Sequence, residues 1–316
     1  MTEAPVVSAY FLVGPTAVGK SAVAQWIAER HGYDVLSADS MVVYMGMDIG
    51  TAKPTRAERA RVRHYGIDLT TPDQNFSVWQ YRRYAESVLR RNAERKRKTL
   101  VGGGSGLYIK SLTDGLAKGA GPDPAQRATL EKILDEEGVE GLQRLLQEIA
   151  PDRWEELKDR KNPRRLVRAI EMARAELPRQ TARWGSASGR RPLVGLILPR
   201  DQLRKRIRDR VCAMYEGGLL EEVRRLMDDP RGLSRTARQA IGYAEAMDVL
   251  AGRCDREKAI ERTVQRTVQF AKRQLTWFRH QANVEWIEID LKMSVAEIGR
   301  MVLERWRVLG PTPIAP

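Results

Sequence analysis

Cysteine, histidine and long apolar segments are all scarce in this sequence of 316 residues. Its two cysteines, Cys212 and Cys254, cannot build a disulfide framework or a structural zinc site, so we expect a reducing, cytoplasmic environment. The three histidines stand far apart, without the spacing of metal ligands. No apolar segment is long enough to cross a bilayer and no cationic leader precedes the first one, so neither a membrane anchor nor a signal peptide is expected.

Acidic residues are also scarce relative to basic ones. The chain has 41 Asp and Glu against 55 Lys and Arg, a formal charge of +14, with 42% hydrophobic residues. That hydrophobic content indicates a folded protein, and the surplus is typical of chains that meet nucleic acid, anionic membranes or phosphorylated ligands. Solubility alone would also explain it. The basic run at 90–98 closes a predicted helix, where solvated surface is the simpler interpretation.

Short apolar segments alternate with a helical pattern at the start of the chain. Residues 6–13, 34–38, 99–101 and 193–198 predict buried strands, and 22–30 predicts a helix between the first two. Strands that alternate with helices favour a parallel sheet covered by helices on both faces. The sequence therefore predicts an α/β fold.

The middle of the chain has a different pattern. Residues 116–189 are helical in pattern and poor in strands, and they end in a segment rich in glycine and serine at 184–189. We therefore predict a helical insertion domain at 116–189. It would interrupt one α/β core, whose halves are 1–115 and 190–316.

Residues 14–21, GPTAVGKS, fit the phosphate-binding pattern G-x-x-x-x-G-K-[ST] between a predicted strand and a predicted helix. The glycines let backbone amides and the helix N-terminus point at one anion, Lys20 adds a positive charge, and the Ser21 hydroxyl can ligate Mg²⁺. The motif makes the core P-loop NTPase-like and predicts a bound di- or triphosphate. A kinase and a transferase that releases pyrophosphate both fit it. The predicted diphosphate-binding residues are Gly14, Thr16, Ala17, Val18, Gly19, Lys20 and Ser21.

Two more polar segments follow predicted strands and are expected at the same sheet edge. Asp39 follows the second strand, where a carboxylate can act as a general base or a Mg²⁺ ligand. A helix N-cap or an Asx turn would explain an Asp-Ser pair equally well. Ser105 lies in the glycine-rich segment 102–106, which permits close approach of a ligand, and its hydroxyl could donate to a phosphate oxygen.

The C-terminal part reads as helical from 201 to 306, and the tail at 310–316 is expected to fray. Arg206 and Arg210 are four residues apart and share a helix face that could reach phosphates or form surface ion pairs. Residues 271–280 interleave basic, amide and aromatic side chains. Such a mixture suits single-stranded RNA, although the aromatic rings could equally anchor a helix to the core.

Taken together, these segments resemble the tRNA dimethylallyltransferase (tRNA isopentenyltransferase) family, in particular its bacterial members. The resemblance runs from Gly14 to about Arg279 and is most specific at 46–54, GMDIGTAKP, which ordinary P-loop kinases lack. The other matching segments are 14–21, Asp39-Ser40, 103–108, 238–243 and 272–277. The chain departs from the family at Val42, where Gln is usual, and at Tyr65, where a second histidine is usual; it also lacks the zinc finger of eukaryotic members.

The resemblance implies transfer of a dimethylallyl group from its diphosphate to N6 of the adenosine 3′-adjacent to the anticodon, with release of pyrophosphate. It implies Mg²⁺, a monomer, and two partners: dimethylallyl diphosphate and the tRNA anticodon stem-loop. Asp39 would accept the N6 proton, and Ser105 and Arg206 would donate to the leaving group. The positions implied to contact tRNA are Asp39, Ser40, Met41, Val42, Ser105, Arg127, Pro163, Arg164, Arg165, Leu166, Val167, Arg238, Gln239, Gly242, Tyr243, Lys272, Arg273 and Gln274.

Three other functions share parts of these features. An adenylate isopentenyltransferase would modify a free nucleotide, a P-loop kinase would phosphorylate a nucleoside or a nucleic-acid end, and a P-loop ATPase could bind RNA without transferring a prenyl group. The basic surplus and the helical insertion favour a tRNA acceptor, because a free nucleotide requires neither.

Overall fold

The computed structural model describes residues 7–116, 123–175 and 192–315. The predicted glycine- and serine-rich segment at 184–189, and with it the predicted end of the insertion, lies outside these ranges. The described strands are β1 (Ser8–Val13), β2 (Asp34–Ser37), β3 (His64–Tyr65), β4 (Thr99–Gly103), β5 (Leu193–Ile197), β6 (Val284–Glu288) and β7 (Thr312–Pro313).

The described helices fill most of the remaining chain, and none of them is long and apolar enough to cross a membrane. They are α1 (Lys20–His31), α2 (Arg56–Arg61), α3 (Val78–Glu94), α4 (Gly106–Thr113), α5 (Pro124–Ile149), α6 (Pro151–Glu156), α7 (Pro163–Arg174), α8 (Arg200–Glu216), α9 (Leu219–Met227), α10 (Arg235–Arg238), α11 (Tyr243–Leu250), α12 (Arg256–Gln281) and α13 (Val295–Leu309).

The strands form one sheet in the order β3-β2-β4-β1-β5-β6, and all neighbours in this order run parallel. Successive side chains on a strand point to opposite faces, and both Phe11 and Leu12 of β1 are at most 1% exposed. Both faces of the central strand are therefore covered, which confirms the predicted α/β class. Because β1, β2 and β4 are parallel, their carboxyl ends lie at one edge, and the loops that follow meet there.

Two expectations for the C-terminal part are wrong. The region expected to be helical contains strand β6, which pairs in parallel with β5 over five residues. The tail expected to fray is instead bonded to the core: β7 runs antiparallel to Ser8 and Ala9, and the amide of Ile314 donates to the carbonyl of Val7 at 2.9 Å. Backbone pairing at the start of β1 thus holds a segment whose proline and glycine content suggested disorder.

The chain divides into two compact units, Met1–Gly115 with Ala187–Pro316, and Leu116–Ser186. The second, called the helical unit below, contains α5, α6 and α7 in its described part. Helix α5 is interrupted at Gly138, where φ is 72°. The buried core of this unit is small, and it consists of Leu130, Leu142, Leu146, Leu166 and Ile170.

Candidate active site

The phosphate loop joins the carboxyl end of β1 to the first turn of α1. Gly14 has a φ of 141°, and a Cβ at this position would lie 2.5 Å from the carbonyl oxygen of Leu196 on β5. Gly19 has a φ of 105° and caps the N-terminus of α1, which begins at Lys20. Both backbone conformations favour glycine. The two glycines of the motif therefore allow the loop to curl at the helix N-terminus, where an anion is stabilised.

The ammonium group of Lys20 lies over this loop. Its Nζ donates to the carbonyl oxygen of Pro15 at 2.6 Å. Burial lowers the pKa of Lys20 to about 7, and the positive charge of Arg210 adds to the lowering, while the nearby carboxylate of Asp39 opposes it. A diphosphate in the loop would favour the charged form of Lys20, so binding and protonation are linked.

Two arginines of α8 reach the phosphate loop. Arg206 donates from Nη1 to the carbonyl of Val18 at 3.4 Å, and Arg210 donates from Nη1 to the hydroxyl of Thr16 at 3.2 Å. The shared face of these arginines is therefore turned to the loop. The four-residue spacing predicted this shared face, whereas the resemblance assigned only Arg206 to the leaving group, so Arg210 is an addition to the predicted site.

Asp39 and Ser105 lie just beyond the ends of β2 and β4. Asp39 accepts from the amide of Met41 through Oδ1 at 2.9 Å, which is the Asx turn that the sequence allowed. The negative charge of the same carboxylate opposes the lowering, by burial, of the pKa values of Lys20 and Arg210, so it lies near both cationic groups. The Ser105 hydroxyl accepts from the amide of Ser40 at 3.0 Å. Asp39 therefore forms the Asx turn and also has its carboxylate near the cations of the phosphate loop, so the two interpretations of Asp39 from the sequence are compatible.

Gln274 of α12 connects the phosphate loop to the glycine-rich turn after β4. Its Oε1 accepts from the amide of Thr16 at 2.7 Å, and its Nε2 donates to the carbonyl of Gly104 at 2.9 Å. The residue is 6% exposed. Gln274 was expected in an RNA interface, but the structure places its amide group inside the protein, between two loops of the site.

The segment 46–54 is held by a residue that sequence reasoning missed. Glu222 of α9 is buried and accepts hydrogen bonds from the backbone amides of residues 48–50 at 2.8–3.3 Å. It also accepts from the hydroxyl of Tyr243 at 2.6 Å. No local pattern marks Glu222, because its partners lie more than 170 residues earlier in the chain or on another helix.

Residues of the core that the resemblance assigns to tRNA contacts fall into three groups. The exposed ones are Arg238, Gln239, Lys272 and Arg273. The half-buried ones are Asp39, Ser40, Met41 and Ser105, and the buried ones are Val42, Gly242, Tyr243 and Gln274. The buried residues expose little surface to a large ligand, so the exposed and half-buried groups are the better placed for direct contact.

Within the helical unit, the assigned residues also differ in their surroundings. Arg127 donates from Nε to the buried carboxylate of Glu171 at 2.5 Å, and Arg168 donates to the same carboxylate at 3.2 Å. Arg164 and Arg165 are exposed at the N-terminus of α7. Pro163 and Val167 are half-buried, and Leu166 belongs to the core of the unit.

Comparison with known proteins identifies relatives over most of the chain. Residues 42–281 match the family described as IPP transferase. The tRNA dimethylallyltransferase of Acidothermus cellulolyticus is 41% identical over 286 residues, which cover 88% of this chain and 87% of that protein. The tRNA dimethylallyltransferase of Geobacillus thermodenitrificans is 37% identical over 319 residues, which cover 98% of this chain and 99% of that protein.

A solved structure shares the architecture as well as the sequence. The full-length tRNA isopentenylpyrophosphate transferase of Bacillus halodurans aligns with a TM-score of 0.67 and 35% identity, covering 96% of this chain and 97% of that one. The family expected from the motifs is therefore confirmed. This chain belongs to the IPP transferase family, and its phosphate loop, Asp39 and paired arginines form the candidate active site of a member of that family.

Proposed function

We propose that this chain transfers a dimethylallyl group from dimethylallyl diphosphate to N6 of the adenosine 3′-adjacent to the anticodon of tRNA. The observation that carries the proposal is the convergence of the phosphate loop, Arg206, Arg210 and Asp39 at one sheet edge, in a chain whose relatives are tRNA dimethylallyltransferases. In this reaction the bond between the allylic carbon and the diphosphate oxygen breaks, and a bond from N6 to that carbon forms.

The phosphate loop and its cations would bind and stabilise the leaving diphosphate. Negative charge grows on the diphosphate as the allylic bond breaks, and fixed donors aimed at that charge lower the barrier. Lys20, Arg206 and Arg210 supply cationic groups at the loop, and Ser105 supplies a hydroxyl from the neighbouring turn.

Magnesium fits the chemistry of the donors in the loop. Ser21 lies in the first turn of α1, so its hydroxyl is at the N-terminus of that helix. Mg²⁺ is a hard cation that takes oxygen ligands from one or two protein groups together with substrate phosphates and water. When bound, Mg²⁺ would neutralise part of the diphosphate charge. Ser21 is the residue that we propose as its protein ligand.

Asp39 would accept the proton that leaves N6. An adenine amine is a poor nucleophile unless its proton is removed during attack, so a carboxylate near the cations of the diphosphate site is well placed for general-base catalysis. The Asx turn to Met41 engages Oδ1, which orients the group and leaves Oδ2 for the substrate. The proton moves to Asp39 and the electron pair on nitrogen forms the new bond.

The acceptor base must leave its stack to reach this site, at an unstacking cost of a few kcal/mol. We propose that exposed basic residues offset that cost through contacts with RNA phosphates. Lys272 and Arg273 in the core and Arg164 and Arg165 in the helical unit are exposed and carry the required charge.

A donor-exchange experiment tests this function. The protein is incubated with an unmodified tRNA anticodon stem-loop and either radiolabelled dimethylallyl diphosphate or radiolabelled ATP, with Mg²⁺ present in both. We expect label transfer from the prenyl donor alone, with one pyrophosphate released for each modified adenosine. Transfer of phosphate from ATP without prenyl transfer would instead identify a kinase.

A further inference from the structure

The first amide of the phosphate loop beyond Pro15 is already bonded within the protein. Thr16 is the third residue of the motif, and its N–H donates to Oε1 of Gln274 at 2.7 Å. In a loop of this kind, the amides nearest the helix hold the inner phosphates, and earlier parts of the loop lie towards the outer end of the phosphate chain. Gln274 therefore removes a donor from the outer end of the cradle.

The orientation of the Gln274 amide is fixed from both sides. Only one orientation lets Oε1 accept from the Thr16 amide while Nε2 donates to the Gly104 carbonyl at 2.9 Å. The approach is close, since a Cβ on Gly104 would lie 2.3 Å from Nε2. Gln274 is also 6% exposed, so water does not compete freely for these bonds. A partly negative oxygen is thus held against the start of the loop.

We infer that Gln274 is a specificity-determining residue that closes the cradle after two phosphates. A third phosphate at the outer end would meet the Oε1 dipole and would find the Thr16 amide engaged. The site would consequently select diphosphates over triphosphates. This inference rests on the proposed function, because it concerns the same anion site, but it assigns Gln274 to the phosphate side and away from RNA.

The neighbours of Gln274 on α12 supply a contrast. Lys272 and Arg273 are exposed, whereas Gln274 is buried against the two loops. We therefore expect Lys272 and Arg273 to contact RNA, and Gln274 to act at the anion site. Variants at 272 and 274 should separate RNA binding from anion binding.

The test compares the affinities of inorganic pyrophosphate and inorganic tripolyphosphate by calorimetry, with Mg²⁺ and without turnover. Gln274→Met keeps the side-chain length but loses the acceptor, so the Thr16 amide becomes available. We expect the tripolyphosphate-to-pyrophosphate affinity ratio to rise about tenfold, the value of one hydrogen bond to a charged group. Gln274→Glu retains an acceptor for Thr16 and adds negative charge at the outer end, so in this matched variant the ratio should not rise.

An unchanged ratio in Gln274→Met, or an equal rise in Gln274→Glu, would overturn the inference. Thermal unfolding verifies that both variants are folded, and Gln274→Ala replaces the Met variant if that one is not. Binding of the anticodon stem-loop is measured alongside: it should stay within about twofold in Gln274→Met and fall in Lys272→Ala. If stem-loop binding fell in Gln274→Met and not in Lys272→Ala, Gln274 would instead be an RNA contact. Because no step requires prenyl transfer, a failure of the proposed function would be seen separately.

Discussion

The α/β core and the helical unit differ sharply in charge. Residues 116–186 contain 14 Lys and Arg against 13 Asp and Glu, a net charge of +1. The remainder of the chain contains 41 basic and 28 acidic residues, a net charge of +13. Nearly the whole basic surplus therefore belongs to the unit that contains the phosphate loop, and not to the unit in which the resemblance places Arg127 and residues 163–167 as tRNA contacts.

The helical unit separates its charges along the chain instead. Residues 158–168 hold six basic residues and one acidic residue, whereas 131–140 hold five acidic residues and one basic residue. The basic segment includes Arg164 and Arg165 at the start of α7. A low net charge is therefore no argument against the proposed RNA contact of the helical unit, because a local concentration of cations determines contact with phosphates.

The largest expected effect is on catalysis and lies in the core. Asp39→Asn keeps an oxygen for the amide of Met41 but cannot take a proton from N6. We expect kcat for prenyl transfer to fall by about 10²- to 10⁴-fold, the usual contribution of a general base. Affinities for pyrophosphate and for the anticodon stem-loop, measured by calorimetry, should change little. Turnover at the parent rate would remove Asp39 as the base.

A second comparison removes one buried carboxylate from each unit. Glu222→Ala leaves three backbone amides and the Tyr243 hydroxyl without their acceptor, which should lower the free energy of unfolding by about 3–5 kcal/mol. Glu171→Ala should cost only about 1–2 kcal/mol, because Arg127 and Arg168 are 33% and 39% exposed and can turn to water.

Urea denaturation of the two variants measures both losses. Equal losses would contradict the view that the core depends on long-range buried bonds while the helical unit tolerates the loss of its ion pairs. A larger loss for Glu171→Ala would reverse the comparison.

The residues that form and support the site could not all be predicted equally well from the sequence. The phosphate loop was predictable because its spacing is local, and Asp39 because it follows a short apolar strand. Glu222 and the place of Gln274 between two loops were not, since the loops to which these side chains bond are 170 or more residues distant along the chain.

Strands β6 and β7 could not be predicted from the sequence, for a similar reason. Strand β6 follows a 26-residue helix with a break of only two residues, and its side chains are mostly half-buried, so no apolar run marks it. The short pairing of β7 with Ser8 and Ala9 joins the two ends of the chain. Neither signal is contained in a local window.

The third prediction concerns RNA affinity and its dependence on salt. Lys272→Ala with Arg273→Ala in the core, and Arg164→Ala with Arg165→Ala in the helical unit, should each reduce the slope of log affinity against log salt by about 2. Equal reductions are expected despite the unequal net charges, because phosphate contacts are local. Affinity is measured by filter binding of the anticodon stem-loop between about 50 and 200 mM salt.

Arg90→Ala with Arg91→Ala is the matched control, since both residues are exposed in the run predicted to be solvated surface. Their removal should leave the slope unchanged. If the affinity of the parent protein for the stem-loop did not change with salt, solubility alone would explain the surplus charge.

The smallest expected effect is a change in proton uptake at the core site. The pKa of Lys20 is lowered to about 7 in the free protein, so the amine is largely neutral above that pH. A bound anion raises the pKa, so pyrophosphate binding above pH 7 should take up a proton that is already present below pH 7. Relative to Lys20→Arg, which stays charged, the parent protein should take up about one more proton near pH 8.5.

Calorimetry in two buffers of different ionisation enthalpy gives the number of protons. Subtracting the Lys20→Arg value removes the protons that pyrophosphate itself exchanges. An identical uptake in the two proteins would show that Lys20 is charged before the anion binds.

We propose that this chain acts on two anionic substrates, a diphosphate at the phosphate loop of the core and a tRNA that binds exposed cations. The most direct measurement is the transfer of label from dimethylallyl diphosphate to two acceptors, tRNA and free AMP, under identical conditions with Mg²⁺ and without ATP. We expect labelled tRNA, with the label on the adenosine 3′-adjacent to the anticodon, and unlabelled AMP. Labelled AMP with unlabelled tRNA would contradict it.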